Sequence, residues 1–457
     1  MRIFATVSDQ AWGGKHRYMH DVLSGLSALG HQVVVHAEQG GRMAARCKAA
    51  GVLDVVDVPP FTSGPGPADA VVAQTVRREP PDVLIASGRR DLMAVHRARA
   101  TLGLTQPFVF FRHSAFPLSE QESAPDVLAG ITRIVGTSRQ QIEQQFMPLV
   151  VTGTIPEARL VLIPSGVSAA WGQRVAGHDE REVRRRLGIG ADLSVFLVPA
   201  RLSWEKDIGR AIEAFAALPV EDAVLLIAGE GPEHEALRDQ ARASGAGERI
   251  LFLGHVDAVD ELLSVAGAVV LTSSVPETGP LALKEAMAAG VPVIAPALGG
   301  IPEFVRHEHD GLLYEPGRTE SLTALMLRLY EQEDLGGILG RAAARTVRTA
   351  HRLERRVEHL AWLLDLLVLG TDPEAALREL RWNAVRLRDE ARFTYLFVPG
   401  TSQITELPPT AAETVGDAVA HEQPALLARL DDPLRSEVVT TLYRMGALGR
   451  AVPAGAV

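Results

Sequence analysis

Glu277 and Glu285 stand eight residues apart in the run Glu277-Thr278-Gly279-Pro280-Leu281-Ala282-Leu283-Lys284-Glu285. At about 3.6 residues per turn that spacing covers two helical turns, with Pro280 in the first, so both carboxylates can address one extended ligand from one side. Such a pair also arises on solvated helices; the Gly-Pro start and the apolar strand at 293–295 favour a site. Arg201 and Lys206 follow another apolar run, and a guanidinium and an ammonium placed together can share the charge of a diphosphate. Asp207 is then the expected N-cap of a helix over 208–218. Gly13-Gly14, and Gly229 with Gly231 in Gly229-Glu230-Gly231-Pro232, let backbone approach a ligand where a helix begins.

These segments need a scaffold that brings loops together, and the rest of the chain supplies its pattern. Short apolar runs at 2–7, 32–36, 82–86, 108–111, 133–136 and 160–163 alternate with helical periodicity, for example Val22, Leu23, Leu26 and Leu29 on one face. A second series follows Pro164-Ser165-Gly166-Val167, with strands expected near 195–198, 224–228, 250–253, 269–271, 293–295 and 312–314. That alternation is the signature of α/β domains with doubly wound parallel sheets, two of them in tandem. Ligands of such sheets sit at the carboxyl ends of the strands, where helix N-termini present free N–H groups. The candidate residues all fall in those loops.

The expected organisation is an N-terminal Rossmann-like domain over 1–168, a second over 169–340, crossover helices over 341–370 and a small α+β unit over 371–457. In the last, strands at 393–398 and 403–407 flank a turn at 399–402, and helices follow over 410–420, 425–430 and 434–445. Gly370-Thr371-Asp372-Pro373 is the breaker before it.

The length of 457 residues allows two to four domains at roughly 100–200 residues each. A formal charge of −10 offers no general attraction to nucleic acid or anionic lipid, so an anionic ligand must be held locally. Cys47 is the single cysteine, which excludes an internal disulfide and a cysteine zinc cluster. The opening Met1-Arg2-Ile3-Phe4-Ala5-Thr6-Val7 reads as a strand and not as a secretory signal, no run is apolar enough to span a bilayer, and a cytoplasmic protein is expected.

Taken in order, Gly13-Gly14, a strand ending in His113, Ile163-Pro164-Ser165-Gly166-Val167, Arg201 with Lys206, Gly229-Glu230-Gly231-Pro232, the two glutamates and Gly299-Gly300-Ile301-Pro302-Glu303 resemble glycosyltransferase family 4 over about residues 1–369. The resemblance implies the GT-B fold, with two facing Rossmann-like domains, and a retaining transfer of sugar from a nucleoside diphosphate to a hydroxyl-bearing acceptor. By position it makes Arg201 and Lys206 the diphosphate pair, Glu285 the partner of the ribose hydroxyls, Glu277 the carboxylate facing the donor sugar and His113 a cleft histidine touching that sugar. Gly14, with Gly13, approaches the diphosphate from the opposite domain. Thr278 and Gly279 supply further donors to it, and the stretch about Gly254-His255-Val256 serves the base.

No Asp-x-Asp triplet occurs, and with cations at the phosphates a metal-independent reaction without a cofactor is implied. Gly279-Pro280 replaces the aromatic-glycine step of many relatives and removes one backbone N–H, while Ser165 replaces a frequent asparagine. Lys15, His16, Arg89, Arg90 and Arg112 are the candidates for an acceptor phosphate or carboxylate, each weighed against plain surface charge. The C-terminal segment is faintly similar to PqqD-like peptide-recognition domains, which implies a peptide or carrier-linked acceptor, with a winged-helix-like or dimerisation unit as its rival. Alternatives on the same fold are a nucleotide-sugar epimerase, a sugar phosphorylase and a degenerate sugar-nucleotide or peptide-binding partner protein.

Overall fold

In the computed structural model, residues 1–8, 12–368, 380–382, 385–390, 393–398, 403–407, 409–430, 438–439, 442 and 447–450 are described. The first lobe is a parallel sheet of β1 (Arg2–Val7), β2 (Gln32–Glu38), β3 (Asp54–Val58), β4 (Val83–Ala86), β5 (Phe108–Arg112), β6 (Arg133–Gly136) and β7 (Leu160–Leu162), in the order β3-β2-β1-β4-β5-β6-β7. Ile3, Ala5 and Val7 enter one core and Phe4 the other, because helices cover both faces. Strands buried on two sides read as continuous apolar runs, as the Val-Leu-Ile-Ala of β4 does. β3 went unforeseen because Asp54 and Asp57 interrupt its run; it is an edge strand, where charge is tolerated. Helices of this lobe that matter below are α1 (Gly14–Ala28), α2 (Arg42–Ala50), α3 (Arg89–Leu102) and α4 (Arg139–Gln145).

The second lobe repeats the plan with β8 (Ser194–Pro199), β9 (Ala223–Ala228), β10 (Ile250–Gly254), β11 (Ala268–Val270), β12 (Val293–Pro296) and β13 (Leu312–Tyr314), ordered β10-β9-β8-β11-β12-β13. Both sheets reverse their strand order beside the first strand, between β1 and β4 and between β8 and β11. The loops that carry Gly13-Gly14, Arg201-to-Lys206 and Glu277 leave β1, β8 and β11, so they open at those switch points, where a doubly wound sheet offers a crevice. α5 (Ile208–Ala216) follows β8 and α6 (Leu281–Ala288) follows β11. Asp207 does precede α5, but it makes no side-chain cap: it sits in a left-handed conformation at φ 45° and its carboxylate takes Arg210 at 2.8 Å.

The expected crossover helices are a pair, α7 (Glu333–Ala350) and α8 (Leu353–Val368), broken at His351-Arg352 where the chain returns from the second lobe to the first. There Val167 N donates to His351 O at 2.9 Å and Leu353 N to Val167 O at 3.0 Å, so the outward and return crossings lie side by side. Trp362 of α8 shares a core with Leu396, Val415 and Leu442 of the C-terminal unit.

That unit holds more strand than expected. β15 (Arg386–Glu390), β16 (Phe393–Val398) and β17 (Gln403–Leu407) form an antiparallel sheet, while β14 (Leu380–Trp382) pairs with β18 (Leu448–Arg450). α9 (Pro409–Ala420) follows, and Pro424–Arg429 is a 3-10 helix, not an α-helix. The turn at 399–402, the breaker at 370–373 and most of the helix expected over 434–445 lie outside the described residues.

α6, which bears Glu285, is fixed by close approach of α7. A Cβ on Gly340 would fall 1.9 Å from Gly290 O, a backbone atom that cannot yield. We therefore expect Gly340→Ala to cost at least about 2 kcal/mol of stability in a urea or thermal melt of the full chain; a change below about 0.5 kcal/mol would contradict this packing.

Candidate functional site

Between the lobes lies a cleft of about 600 Å³, within the range of about 300–1,000 Å³ typical of small-molecule sites. Six cations, Lys15, Arg17, Arg42, Arg46, Arg201 and Lys206, line it with four carboxylates, Glu230, Asp257, Glu277 and Glu285. A protein of charge −10 thus gathers a cationic excess in this interlobe cleft. The N-terminus of α1 opens on the same space: Gly13 is its N-cap with extended backbone and no side-chain cap, and Gly13, Gly14 and Lys15 line the cleft. The first amides and dipole of this 15-residue helix add positive potential.

Lys206 and Glu277 meet in an ion pair, and Ser273 Oγ donates to the same Glu277 oxygen at 2.6 Å. Glu277 is seated by the Gly299-Gly300 turn. Gly300 N donates to Glu277 O at 2.6 Å, and Gly299, at φ 65°, comes so close that a Cβ would lie 2.5 Å from Glu277 N. Thr278 Oγ1 donates to His113 O at 3.0 Å across the lobes, so this hydroxyl is already engaged. Pro280 is the N-cap of α6 rather than part of its first turn.

His113 projects from the end of β5 against Phe111, stacked at 6.1 Å, and the edge of Tyr18 at 5.3 Å. Burial, with the positive charge of Lys15, His16 and Arg112, lowers its pKa to about 3, so the imidazole is neutral. Its Nε2 is buried and has no hydrogen-bond partner among the described residues, while the residue lines the cleft.

Glu285 lies at the other end of the carboxylate pair, 8% exposed. Burial raises its pKa to about 7, and Arg17, with Nη2 at 3.6 Å, opposes the rise. Arg17 in turn holds Asp21 at 2.9 Å and lies over the Trp171 ring at 5.1 Å. Nearby, Arg46 of α2 stacks on Trp12 at 4.3 Å and pairs across the lobes with Asp257, which also takes His255 Nε2 at 3.1 Å. Arg17 stands one turn from Gly14, a spacing that sequence reasoning could have used. Arg46 and Asp257 are 211 residues apart and left no local signal.

Of the remaining candidates, Gly229 lines the cleft, whereas Gly231 packs against Leu202, whose carbonyl a Cβ would meet at 2.1 Å. Lys15 lines the cleft with Nζ on Ser8 O at 3.0 Å, and His16 is buried with Nε2 on the same carbonyl at 3.0 Å. Arg89 and Arg90 begin α3 as exposed residues outside the cleft lining. Arg112 corrects its expectation most plainly. Its buried guanidinium pairs with Glu122 at 2.9 Å and donates to Phe116 O at 2.9 Å, so it braces the loop after β5 instead of facing a ligand.

Residues 12–185 match the family model Glycosyltransferase Family 4, and residues 179–346 match Glycosyl transferases group 1. The two lobes thus each match a glycosyltransferase model, and together they have the GT-B fold. Among curated relatives, the chain is similar to N-acetyl-alpha-D-glucosaminyl L-malate synthase of Bacillus anthracis, 33% identical over 39% of this chain and 47% of that protein. It is also similar to the 2-deoxystreptamine N-acetyl-D-glucosaminyltransferase of Streptomyces fradiae, 32% identical over 33% of this chain and 37% of that one. The chain spans about half the length of the first of these relatives or less. Anabaena Alr3699/HepE, solved with UDP and glucose, has the same fold with a TM-score of 0.68 at 20% identity, covering 80% of this chain and 99% of that one. Among the described residues no helix is long and apolar enough to cross a membrane.

The buried Glu285 makes stability depend on pH. Its folded pKa of about 7 exceeds the ordinary 4.5, so it holds a proton in the folded state that the unfolded chain releases between those values. Its favourable contribution is complete below about pH 4.5 and is lost as pH rises through about 7. Glu285→Gln, which cannot ionise, is expected to melt higher than the wild type above pH 7, by on the order of 3 kcal/mol without ligand, and to converge with it below pH 4.5. Parallel stability curves across that range would contradict the buried-carboxyl assignment.

Proposed function

We propose that the chain is a retaining, metal-independent glycosyltransferase that moves a sugar from a nucleoside diphosphate to a hydroxyl-bearing acceptor. The observation that carries this reading is a convergence: the N-terminus of α1, Arg201, Lys206 and His113 all line one interlobe cleft. Breaking a glycosyl–phosphate bond builds negative charge on the departing diphosphate and positive charge on the sugar. Fixed cations and helix amides at the phosphates then stabilise the transition state more than the ground state.

In this reading the diphosphate lies between α1 and the Arg201–Lys206 loop, drawing Lys206 from its pair with Glu277. The freed carboxylate and the neutral His113 imidazole hold hydroxyls of the donor sugar. Glu285 accepts from the ribose hydroxyls, which favour its ionised form. Retention follows from attack on the face that the diphosphate leaves, with a phosphate oxygen taking the acceptor proton, so no protein base is required. Thr278–His113 and Arg46–Asp257 join the lobes around the donor and exclude water from the sugar. UDP-sugars are the first donors to try, since HepE was solved with UDP and the malate and deoxystreptamine enzymes are named for transfer of an N-acetylglucosaminyl group.

The antiparallel sheet β15-β16-β17 favours a peptide-borne acceptor. An extended segment joining its edge by strand addition would bring the hydroxyl to the cleft as part of a larger partner.

Lys206→Ala is expected to lower transfer at least 100-fold with its melting temperature within a few degrees of wild type, since one phosphate cation is lost from the transition state. Near-wild-type turnover would remove the phosphate assignment. Proton NMR of the first product formed from an α-linked donor is expected to show the α-anomer; a β-anomer would overturn retention.

A further inference from the structure

Lys284 precedes Glu285 on α6, yet its side chain goes the other way, into protein, and is 1% exposed. Nζ donates to Ser165 O at 3.0 Å and to Ser165 Oγ at 2.9 Å, and lies 4.5 Å over the Phe304 ring. Burial, reinforced by the Arg356 charge and opposed by Glu303, lowers its pKa to about 7. An ammonium kept out of water, bound to a carbonyl and a hydroxyl and in no ion pair among the described residues, is a costly way to fill a core. Packing alone would be served as well by methionine.

What the amine holds suggests its use. Ser165 lies on the interlobe crossing, two residues before Val167, which is pinned to His351 and Leu353. Its hydroxyl, oriented by Lys284, donates to Gly279 O at 3.0 Å. Gly279 has φ 154°, a conformation rare for residues with a side chain, and a Cβ there would stand 3.5 Å from Lys284 Nζ. Thr278, Gly279 and Pro280 line the cleft next to Glu277. One relay, Nζ to Ser165 Oγ to Gly279 O, therefore joins α6, the crossing between lobes and the loop beside the Lys206–Glu277 pair.

We propose that Lys284 is a positioning residue for glycosyl transfer: through Ser165 it fixes the Glu277–Pro280 loop relative to the interlobe crossing, so that donor sugar and phosphates meet their partners in reacting geometry. The inference rests on the transfer reading above. It also gives a use to the two departures seen in the sequence, Ser165 and Gly279-Pro280, which meet in this relay: Pro280 lacks an N–H, and the Gly279 carbonyl before it is held by Ser165 instead.

The test is a double-mutant cycle in the full chain with Lys284→Met, Ser165→Ala and both, read by steady-state transfer and by melting temperature. A misplacement of the reacting groups costs kcat far more than donor binding. Each single change is therefore expected to lower kcat at least tenfold with donor KM altered less than threefold, and the double variant to be no worse than the poorer single, as for one shared interaction. The melting temperature of Lys284→Met is expected to hold or rise, because a desolvated charge is gone. Wild-type kcat in both singles, or losses that multiply in the double, would overturn the relay. If Lys284→Met does not fold, Ser165→Ala alone decides, and an unchanged kcat rejects the proposal. A wild-type chain that neither binds a nucleoside diphosphate nor transfers from any nucleotide sugar overturns the transfer reading and this inference with it, and that result is visible before any variant is compared.

Discussion

Two backbone hydrogen bonds, Val167 N to His351 O and Leu353 N to Val167 O, hold the outward and return crossings of the chain together, and the cleft depends on them. Each lobe alone has a sheet whose carboxyl edge opens at a switch point. Only because the crossings coincide do the two edges face each other across one space. The polar ties between the lobes act within that frame: Thr278 on His113, Arg46 on Asp257, and the Glu303 carboxylate accepting from Arg139 N and Gln140 N, both at 2.8 Å, at the start of α4. None is covalent, and charged pairs that are partly exposed contribute little singly.

Charge is the second constraint. With a net −10, the molecule repels anions at long range, and attraction must come from the cleft wall. The wall eases repulsion among its cations by giving three of them a carboxylate partner: Glu277 for Lys206, Asp257 for Arg46, Glu285 for Arg17. Two of these carboxylates, Glu277 and Glu285, are in the transfer reading the ones that receive hydroxyls of the donor. Burial tunes the set further, raising Glu285 and lowering His113 and Lys284, so that near neutral pH the imidazole is uncharged while Glu285 and Lys284 stand near their midpoints.

Much of this was legible in the sequence, and the exceptions have physical causes. Strands buried on both faces announce themselves as apolar runs, so most of both sheets was expected within a residue or two. β3 and β15 carry Asp54, Asp57, Arg386, Arg388, Asp389 and Glu390 because they are edge strands, and edge strands lose the apolar signal. Gly13-Gly14, Arg201, Lys206, Glu277, Glu285 and His113 reach one cleft because each follows a strand at a carboxyl edge or lies on the helix after it. Arg112 misled for a related reason: it also ends a strand, but the buried Glu122 ten residues on captures it. Arg46 with Asp257, and Lys284 with Ser165, are contacts between distant segments, and no local pattern encodes them.

The central claim is that this cleft holds a nucleoside diphosphate sugar by its own cations without a metal. The most direct measurement is a thermal-shift screen of the purified chain against UDP-, GDP-, ADP- and dTDP-sugars with EDTA present, because a ligand that binds the native state raises its melting temperature by mass action. A selective rise with one nucleotide class that is lost in Arg201→Ala is expected. No rise with any donor under EDTA, or a rise that Arg201→Ala leaves unchanged, would contradict it.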